Sequence, residues 1–157
     1  MRRGIVPQIL EEFLQTRIMM KQSTKLYKND PHIQNILEGR QMAIKLFMNV
    51  MYGYTGASVN GRMPCCDIAD STVEIGRHIM KKCQEFINGT KEFGGEVIYG
   101  DTDSLFILFK GQSIQSAMKN AKLISKKITT FLPFPMALQF EKVLCPFVAF
   151  SKKRYIG

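Results

Sequence analysis

Apolar side chains in the first third of the chain recur every three or four positions, the spacing that places them on one face of an α-helix. The first set follows Pro7, a favourable residue at a helix start, and comprises Ile9, Leu10, Phe13, Leu14 and Ile18. Residues 29–31 interrupt the pattern, and a second helical stretch covers residues 33–48. Because only a short turn joins them, the two helices should lie antiparallel.

The rest of the chain mixes helical and strand patterns. Helical spacing predicts a third helix over residues 67–88 and a fourth over residues 113–131. Between them, apolar runs around a polar turn predict a β-hairpin over residues 96–109. Two short strands are predicted at residues 136–144 and 147–151. The side chains expected to be buried on the third helix are Ile68, Val73, Ile75, Ile79, Cys83 and Phe86.

This order of elements predicts an α+β fold. An antiparallel sheet would be covered on one face by the third and fourth helices. The first two helices would project from that sheet as an antiparallel hairpin. We therefore expect residues 1–56 and residues 57–157 to form two parts.

The charge of the chain narrows the class of partner. Lys and Arg number 22 against 13 Asp and Glu, a formal net charge of +9. Such an excess favours polyanions, with nucleic acid ahead of an acidic membrane, although a solvated lysine-rich face explains it equally well. No apolar run approaches the roughly 18 residues of a membrane span, so no membrane partner is expected. The spacing of the four cysteines suits a reducing compartment better than a zinc site.

Two helical faces carry groups that could bind a phosphate. On the first helix, cationic residues follow at steps of four, four and three: Arg17, Lys21, Lys25 and Lys28. On the second helix, an ammonium, an amide and a phenol lie within about 60 degrees of one another; these are Lys45, Asn49 and Tyr52. A solvated face remains the alternative for the cationic stripe.

An acidic turn supplies the complementary charge. Asp101 and Asp103 are forced together at the tip of an otherwise apolar hairpin. Clustered carboxylates favour a hard divalent cation, Mg²⁺ by default, while an ordinary Asp-rich turn is the alternative. Basic residues follow near the end of the chain at Lys152, Lys153 and Arg154. A triphosphate requires cations and a metal requires carboxylates, so the ordered set favours phosphoryl transfer.

Three segments resemble the motifs of family B DNA polymerases. Residues 45–53, KLFMNVMYG, resemble the motif K-x3-N-x2-Y-G, residues 99–104 are identical to YGDTDS, and residues 152–155 match KKRY. Residues 16–23 and 58–65, with Val50, are most similar to the zeta-type translesion enzymes of that family. The resemblance covers nearly the whole chain.

The resemblance assigns the helical residues to the nucleotide. The triphosphate of an incoming deoxynucleotide would be held by Arg17, Lys21, Lys45 and Asn49. Lys45 would also protonate the departing pyrophosphate. Tyr52 would pack against the nascent base pair.

The resemblance assigns the remaining residues to metal and DNA. Asp103 would ligate two catalytic Mg²⁺ ions with Asp101 beside it, and Glu141 is a further candidate near them. The primer-template backbone would be bound by Lys152, Lys153, Arg154 and Tyr155. No iron–sulfur cluster is expected in this segment. A nuclear location and accessory polymerase subunits are also implied.

In family terms, residues 1–56 would be the fingers hairpin, and residues 57–157 a partial palm ending at the start of the thumb. A second metal-binding motif, D-x2-S-L-Y-P, precedes these segments in the family and does not occur here. We therefore expect this chain alone to be inactive and its sheet to lack a strand, leaving a strand edge prone to association. A noncatalytic nucleic-acid-binding remnant and an unrelated Mg²⁺-dependent phosphatase or nucleotidyltransferase are the alternatives.

Overall fold

The computed structural model describes residues 4–27, 29–59, 61 and 64–157. The chain divides into two compact units, Met1–Thr72 and Val73–Gly157. The predicted division at residue 56 is the last residue of the second helix, whereas the boundary between the units falls within the third. The assignment of the two parts to fingers and palm stays a prediction.

The first unit contains a helical hairpin. Helix α1 spans Ile5–Leu26 and helix α2 spans Pro31–Gly56. The Asp30 carboxylate caps α2 by accepting hydrogen bonds from the backbone N–H groups of His32 and Ile33, at 3.0 and 3.1 Å, and so satisfies donors that the first turn leaves unpaired. The rings of Phe13 and Phe47 lie 4.8 Å apart. This pairing of the early part of α1 with the later part of α2 is what an antiparallel hairpin produces.

The second unit is a β-hairpin with helices on one face. Helix α3 spans Cys66–Gly89, strands β1 and β2 span Gly95–Asp101 and Ser104–Phe109, and helix α4 spans Ile114–Phe131. The buried core is Cys83, Ile87, Phe93, Ile124 and Ile128, and the sheet adds Val97, Leu105, Ile107 and Phe109 to it. The prediction that the third and fourth helices cover one face of the hairpin is confirmed.

The expected burial of α3 is correct only for its C-terminal half. Cys83 is buried, and Ile79 and Phe86 are partly buried against the core. Ile68, Val73 and Ile75 are instead 56%, 44% and 55% exposed. Helical periodicity marks an apolar face but does not reveal which turns of it meet a partner.

One predicted strand is absent and an unpredicted one is present. Residues 136–144 form no strand, because no neighbouring strand in the described part of the chain pairs with them, and a strand needs a partner for its backbone groups. The last residues instead form a second hairpin, with β3 at Val148–Ser151 and β4 at Arg154–Ile156. The described residues thus contain two antiparallel two-stranded sheets, β1–β2 and β3–β4.

The Cys83 thiol is part of the apolar core. Burial raises its pKa above the ordinary value of 9.0 because the thiolate loses its hydration. The thiol therefore remains protonated at neutral pH. The stabilisation linked to the protonated Cys83 thiol is fully present below pH 9.0 and is lost as the pH rises through the raised pKa of the folded protein.

We predict that Ile128→Ala lowers the free energy of unfolding by about 2–5 kcal/mol, because it leaves a cavity in the core. Ile128 is 0% exposed. The matched control is Ile114→Ala on the same helix, where the side chain is 54% exposed and the change should be within about 0.5 kcal/mol. Urea unfolding followed by circular dichroism measures both. Similar losses in the two variants would contradict the assigned core.

Candidate functional site

The acidic turn closes the β1–β2 hairpin. Asp101 pairs with Ser104, which leaves Thr102 and Asp103 at the tip. Thr102 has a φ of 48°, a conformation that is strained for a β-branched residue. Thr102 Oγ1 donates to Asp101 Oδ1 at 3.2 Å, and Ser104 Oγ donates to the Asp101 carbonyl oxygen at 3.1 Å. These bonds fix the turn that presents Asp103.

A β-bulge decides which face of the hairpin carries Tyr99 and Asp101. Val97 pairs with Ile107 on the core face, but Tyr99 pairs with Phe106, so the register shifts between Val97 and Tyr99. Because side chains alternate along a strand, the extra residue turns Tyr99 away from the core, and Asp101, two residues on, follows it. The Val97 N–H donates to Asn88 Oδ1 at 2.9 Å, which ties β1 to the end of α3 just before the bulge.

The β3–β4 hairpin contacts this outer face through two polar interactions. The backbone N–H of Lys153 donates to the Tyr99 hydroxyl oxygen at 3.0 Å. The Lys153 ammonium lies 3.1 Å from Asp101 Oδ1. Lys153 occupies the tip of the hairpin with a φ of 66°. The acidic turn and the basic segment, about 50 residues apart in sequence, are therefore in direct contact.

An aromatic cluster accompanies the polar contacts. The Phe106 ring lies 5.0 Å from Tyr155, 5.4 Å from Phe147 and 5.4 Å from Tyr99, measured between ring centroids. Aromatic pairs at such separations are favourable. Tyr155, predicted to bind DNA, thus also packs the two hairpins together. Phe106 and Phe147 were not predicted, since their role depends on which strands meet.

The other predicted DNA-binding residues differ in their surroundings. Lys152 and Arg154 are exposed. The Lys153 side chain is 61% exposed, while that of its partner Asp101 is 26% exposed. Two cations of the segment are thus open to solvent, and the third is engaged with a carboxylate of the acidic turn.

A cavity of about 420 Å³ opens beside β2. Its lining is largely apolar and comes mainly from β2, α4 and residues 137–144. Asp103 and Glu141 both line it. The sequence-derived candidate Glu141 therefore lies on the same cavity as the acidic turn.

The carboxylates of the turn fit one manner of binding Mg²⁺. This ion is commonly held by one or two carboxylates together with substrate phosphates and water, rather than by a complete protein cage. Asp101 and Asp103 supply two such groups, and the described residues contain no group of three or more His, Cys, Asp or Glu able to hold a metal. The two carboxylates suit a metal ion that is shared with substrate. One of their oxygens, Asp101 Oδ1, is already paired with the Lys153 ammonium.

The predicted nucleotide-binding residues belong to the first unit. Arg17 and Lys21 lie on α1, and Lys45, Asn49 and Tyr52 lie on α2. Lys21, Lys45 and Asn49 are exposed. The Arg17 Nε atom is buried and has no hydrogen-bond partner among the described residues. Lys25 is exposed in the last turn of α1, and Lys28 lies outside the described residues.

Tyr52 is fixed by the start of α3. Its hydroxyl donates to the Ala69 carbonyl oxygen at 3.3 Å. Helices α2 and α3 approach each other here: a methyl group added at Gly56 would be in van der Waals contact with Ala69 Cβ, at 3.7 Å. Tyr52 as a whole remains 41% exposed. It is therefore positioned by its hydroxyl while retaining surface for a ligand.

Comparison with known proteins defines the class. The model of DNA polymerase family B matches residues 1–157, and the chain belongs to this family. Its sequence is 44% identical over 156 residues to the DNA polymerase zeta catalytic subunit of Homo sapiens and 45% identical over 157 residues to that of Arabidopsis thaliana, with 99% of this chain covered in both. The predicted resemblance to family B, and to its zeta type, is confirmed.

The chain spans a small part of these relatives, 5% of the human protein and 8% of the plant protein. A solved structure shares the fold: the family B DNA polymerase of the hyperthermophilic archaeon Pyrobaculum calidifontis, with a TM-score of 0.58 and 31% identity. The match covers 80% of this chain and 16% of that one. No helix within the described residues is long and apolar enough to cross a membrane.

We predict that Tyr99→Phe weakens the contact between the hairpins without disturbing the ring cluster. The variant removes the oxygen that accepts the Lys153 N–H, a bond worth about 0.5–1.5 kcal/mol. Amide hydrogen exchange at Lys153 should therefore become faster. Tyr155→Phe is the matched control, because the contacts of Tyr155 among the described residues are made by its ring. Unchanged exchange at Lys153 in Tyr99→Phe would contradict the assigned hydrogen bond.

Proposed function

We propose that this chain is the part of a template-directed DNA polymerase that binds the incoming deoxynucleoside triphosphate and carries a catalytic aspartate. The observation that carries the proposal is the contact between the acidic turn and the basic hairpin, made by Lys153 with Tyr99 and Asp101. It brings a candidate metal-binding group beside candidate DNA-binding groups. Primer extension requires that proximity, because the primer 3′ hydroxyl reacts at the metal.

The second unit is assigned to metal and primer. Asp103 would be the principal ligand, with Asp101 next to it and Glu141 on the same cavity. Two Mg²⁺ ions would activate the primer 3′ hydroxyl and stabilise the leaving oxygen. Lys152 and Arg154, both exposed, would bind backbone phosphates. Tyr155 and Lys153, which are also assigned to the primer-template backbone, would in addition place that segment against the turn.

The first unit is assigned to the nucleotide. Arg17, Lys21, Lys45 and Asn49 would bind the triphosphate, and Lys45 would donate a proton to the pyrophosphate as it leaves. Catalysis of phosphoryl transfer is largely positioning and neutralisation of charge, which is what this set supplies. The buried, unpartnered Arg17 Nε among the described residues supports a ligand-dependent role for that side chain. Tyr52 would contact the nascent base pair.

The similarity to zeta relatives supports a proposal about the cellular role. Translesion synthesis in the nucleus, within DNA repair and with accessory polymerase subunits, is the role that we propose on the basis of the similarity to zeta catalytic subunits. A noncatalytic nucleic-acid-binding remnant is the second candidate. It is favoured by one observation, that Asp101 is already neutralised by Lys153.

A chimaera distinguishes the two candidates. We predict that a human zeta catalytic subunit whose matching segment is replaced by this chain extends a primer with Mg²⁺ and deoxynucleotides. Asp103→Asn should lower the rate of extension by about a hundredfold or more. Loss of a residue that only hydrogen-bonds to a metal ligand typically lowers activity about 10- to 100-fold. The matched control is Asp70→Asn, which removes an exposed carboxylate on α3. An inactive chimaera that still binds primer-template DNA would support the remnant.

Binding of DNA by the chain alone provides a further prediction. Arg154→Ala and Lys152→Ala should each weaken binding of primer-template DNA regardless of its sequence. Since each variant loses one phosphate contact, the fall of log affinity with log salt should become shallower, its slope smaller in magnitude by about 1. Fluorescence anisotropy over a salt series measures this. Lys126→Ala on α4 removes the same charge from an exposed position and should leave the slope unchanged. Equal slopes in all three variants would contradict a localised DNA site.

A further inference from the structure

The ion pair between Lys153 and Asp101 joins two groups with competing tasks. Its atoms, Lys153 Nζ and Asp101 Oδ1, lie 3.1 Å apart. Under the proposed function, a phosphate of DNA would attract the ammonium, and a divalent cation would attract the carboxylate. While the ammonium and the carboxylate are paired with each other, each is less available to bind its ligand, the phosphate or the divalent cation.

The pair is built so that the side chain can exchange while the backbone stays in place. The Lys153 side chain is 61% exposed and that of Asp101 is 26% exposed. Water and salt therefore reach the ammonium and screen the pair, which limits its net contribution to stability. Its backbone is fixed by the hydrogen bond from Lys153 N–H to the Tyr99 hydroxyl. The four-carbon stem can therefore move the ammonium without displacing the hairpin.

The surroundings of Asp101 favour such an exchange. Thr102 Oγ1 donates a hydrogen bond to the same oxygen, Oδ1, at 3.2 Å. If Lys153 leaves, the carboxylate loses its cationic partner and gains affinity for another cation. The exposed Lys152 and Arg154 provide initial attraction for phosphate next to the exchanging lysine.

We propose that Lys153 is an internal counter-ion of Asp101 that couples DNA binding to divalent-cation binding. DNA withdraws the ammonium from Asp101 and thereby raises the cation affinity of the turn. A cation at the turn frees Lys153 for phosphate in return. This inference rests on the proposed function and adds a positioning role for Lys153, since the residue would act on the metal through Asp101.

Reciprocity makes the coupling measurable in both directions. If DNA raises cation affinity by some factor, the cation must raise DNA affinity by the same factor. We expect a factor of about twofold to fivefold, the range that one solvent-screened ion pair supports. Mn²⁺ is the probe for the turn, with free Mn²⁺ measured by electron paramagnetic resonance. Anisotropy of a labelled primer-template measures DNA affinity with and without Mn²⁺, after subtraction of Mn²⁺ bound by DNA alone.

The test variant is Lys153→Met in the full 157-residue chain, which removes the ammonium but keeps most of the length of the side chain and the backbone N–H. Without DNA, this variant should bind Mn²⁺ about twofold to fivefold more tightly than the unaltered chain. Its coupling factor should fall to about 1. The matched variant Lys152→Met loses the same charge one residue away; it should bind DNA more weakly yet keep the coupling. Asp101→Asn should abolish the difference between the Lys153 variant and the unaltered chain, as a double-mutant cycle requires.

The outcomes separate this inference from the function on which it rests. Equal Mn²⁺ affinity and equal coupling in Lys153→Met and Lys152→Met would overturn the counter-ion role while leaving DNA and metal binding intact. Failure of the unaltered chain to bind either Mn²⁺ or primer-template DNA would overturn the inference, whereas the proposed function is decided separately by primer extension with the chimaera. Amide exchange at residue 153 shows whether the hydrogen bond to Tyr99 survives in Lys153→Met. A lost bond with unchanged coupling would also count against the role.

Discussion

The shift of register between Val97 and Tyr99 is the constraint on which the second unit depends. In an uninterrupted strand, Tyr99 and Asp101 would share the core face with Val97. Asp101 would then lose hydration against the helices, which is costly for a carboxylate without a partner. The bulge lets one strand serve the apolar core in its first half and a polar surface in its second.

The two hairpin tips depend on the core for a further reason. Thr102 and Lys153 both have positive φ although neither is glycine. Such conformations cost of order 1–3 kcal/mol each and persist where surrounding contacts determine them. The contacts in question are the buried helix residues on one side of β1–β2 and the Phe106 cluster on the other. Packing on both faces thus holds in place the two turns that carry the candidate chemistry.

What could be predicted from the sequence was local. The helical hairpin, α4 and the β1–β2 hairpin follow from periodicity and from turn residues, and Asp30 and Ser113 cap helices close to where the patterns begin. The acidic turn was found because its members are adjacent in sequence. The bulge in β1 could not be predicted, because a bulge is defined only by the pairing with a partner strand. Residues 136–144 have a strand-like composition but no strand partner in the described part of the chain, so their pattern predicted a strand wrongly.

The contact between the two hairpins combines interactions of different strength, and that difference has a functional consequence. Ring packing around Phe106 and the hydrogen bond at Tyr99 restrain the backbone of β3–β4. The ammonium of Lys153 is held only by an ion pair whose cationic side is open to solvent, and such pairs are the weaker interaction. A buried pair would resist exchange, because breaking it leaves an uncompensated charge out of water. Since the ammonium of this pair is open to solvent, the hairpin can keep its position while its cation changes partner, as the proposed binding of both DNA and a metal would require.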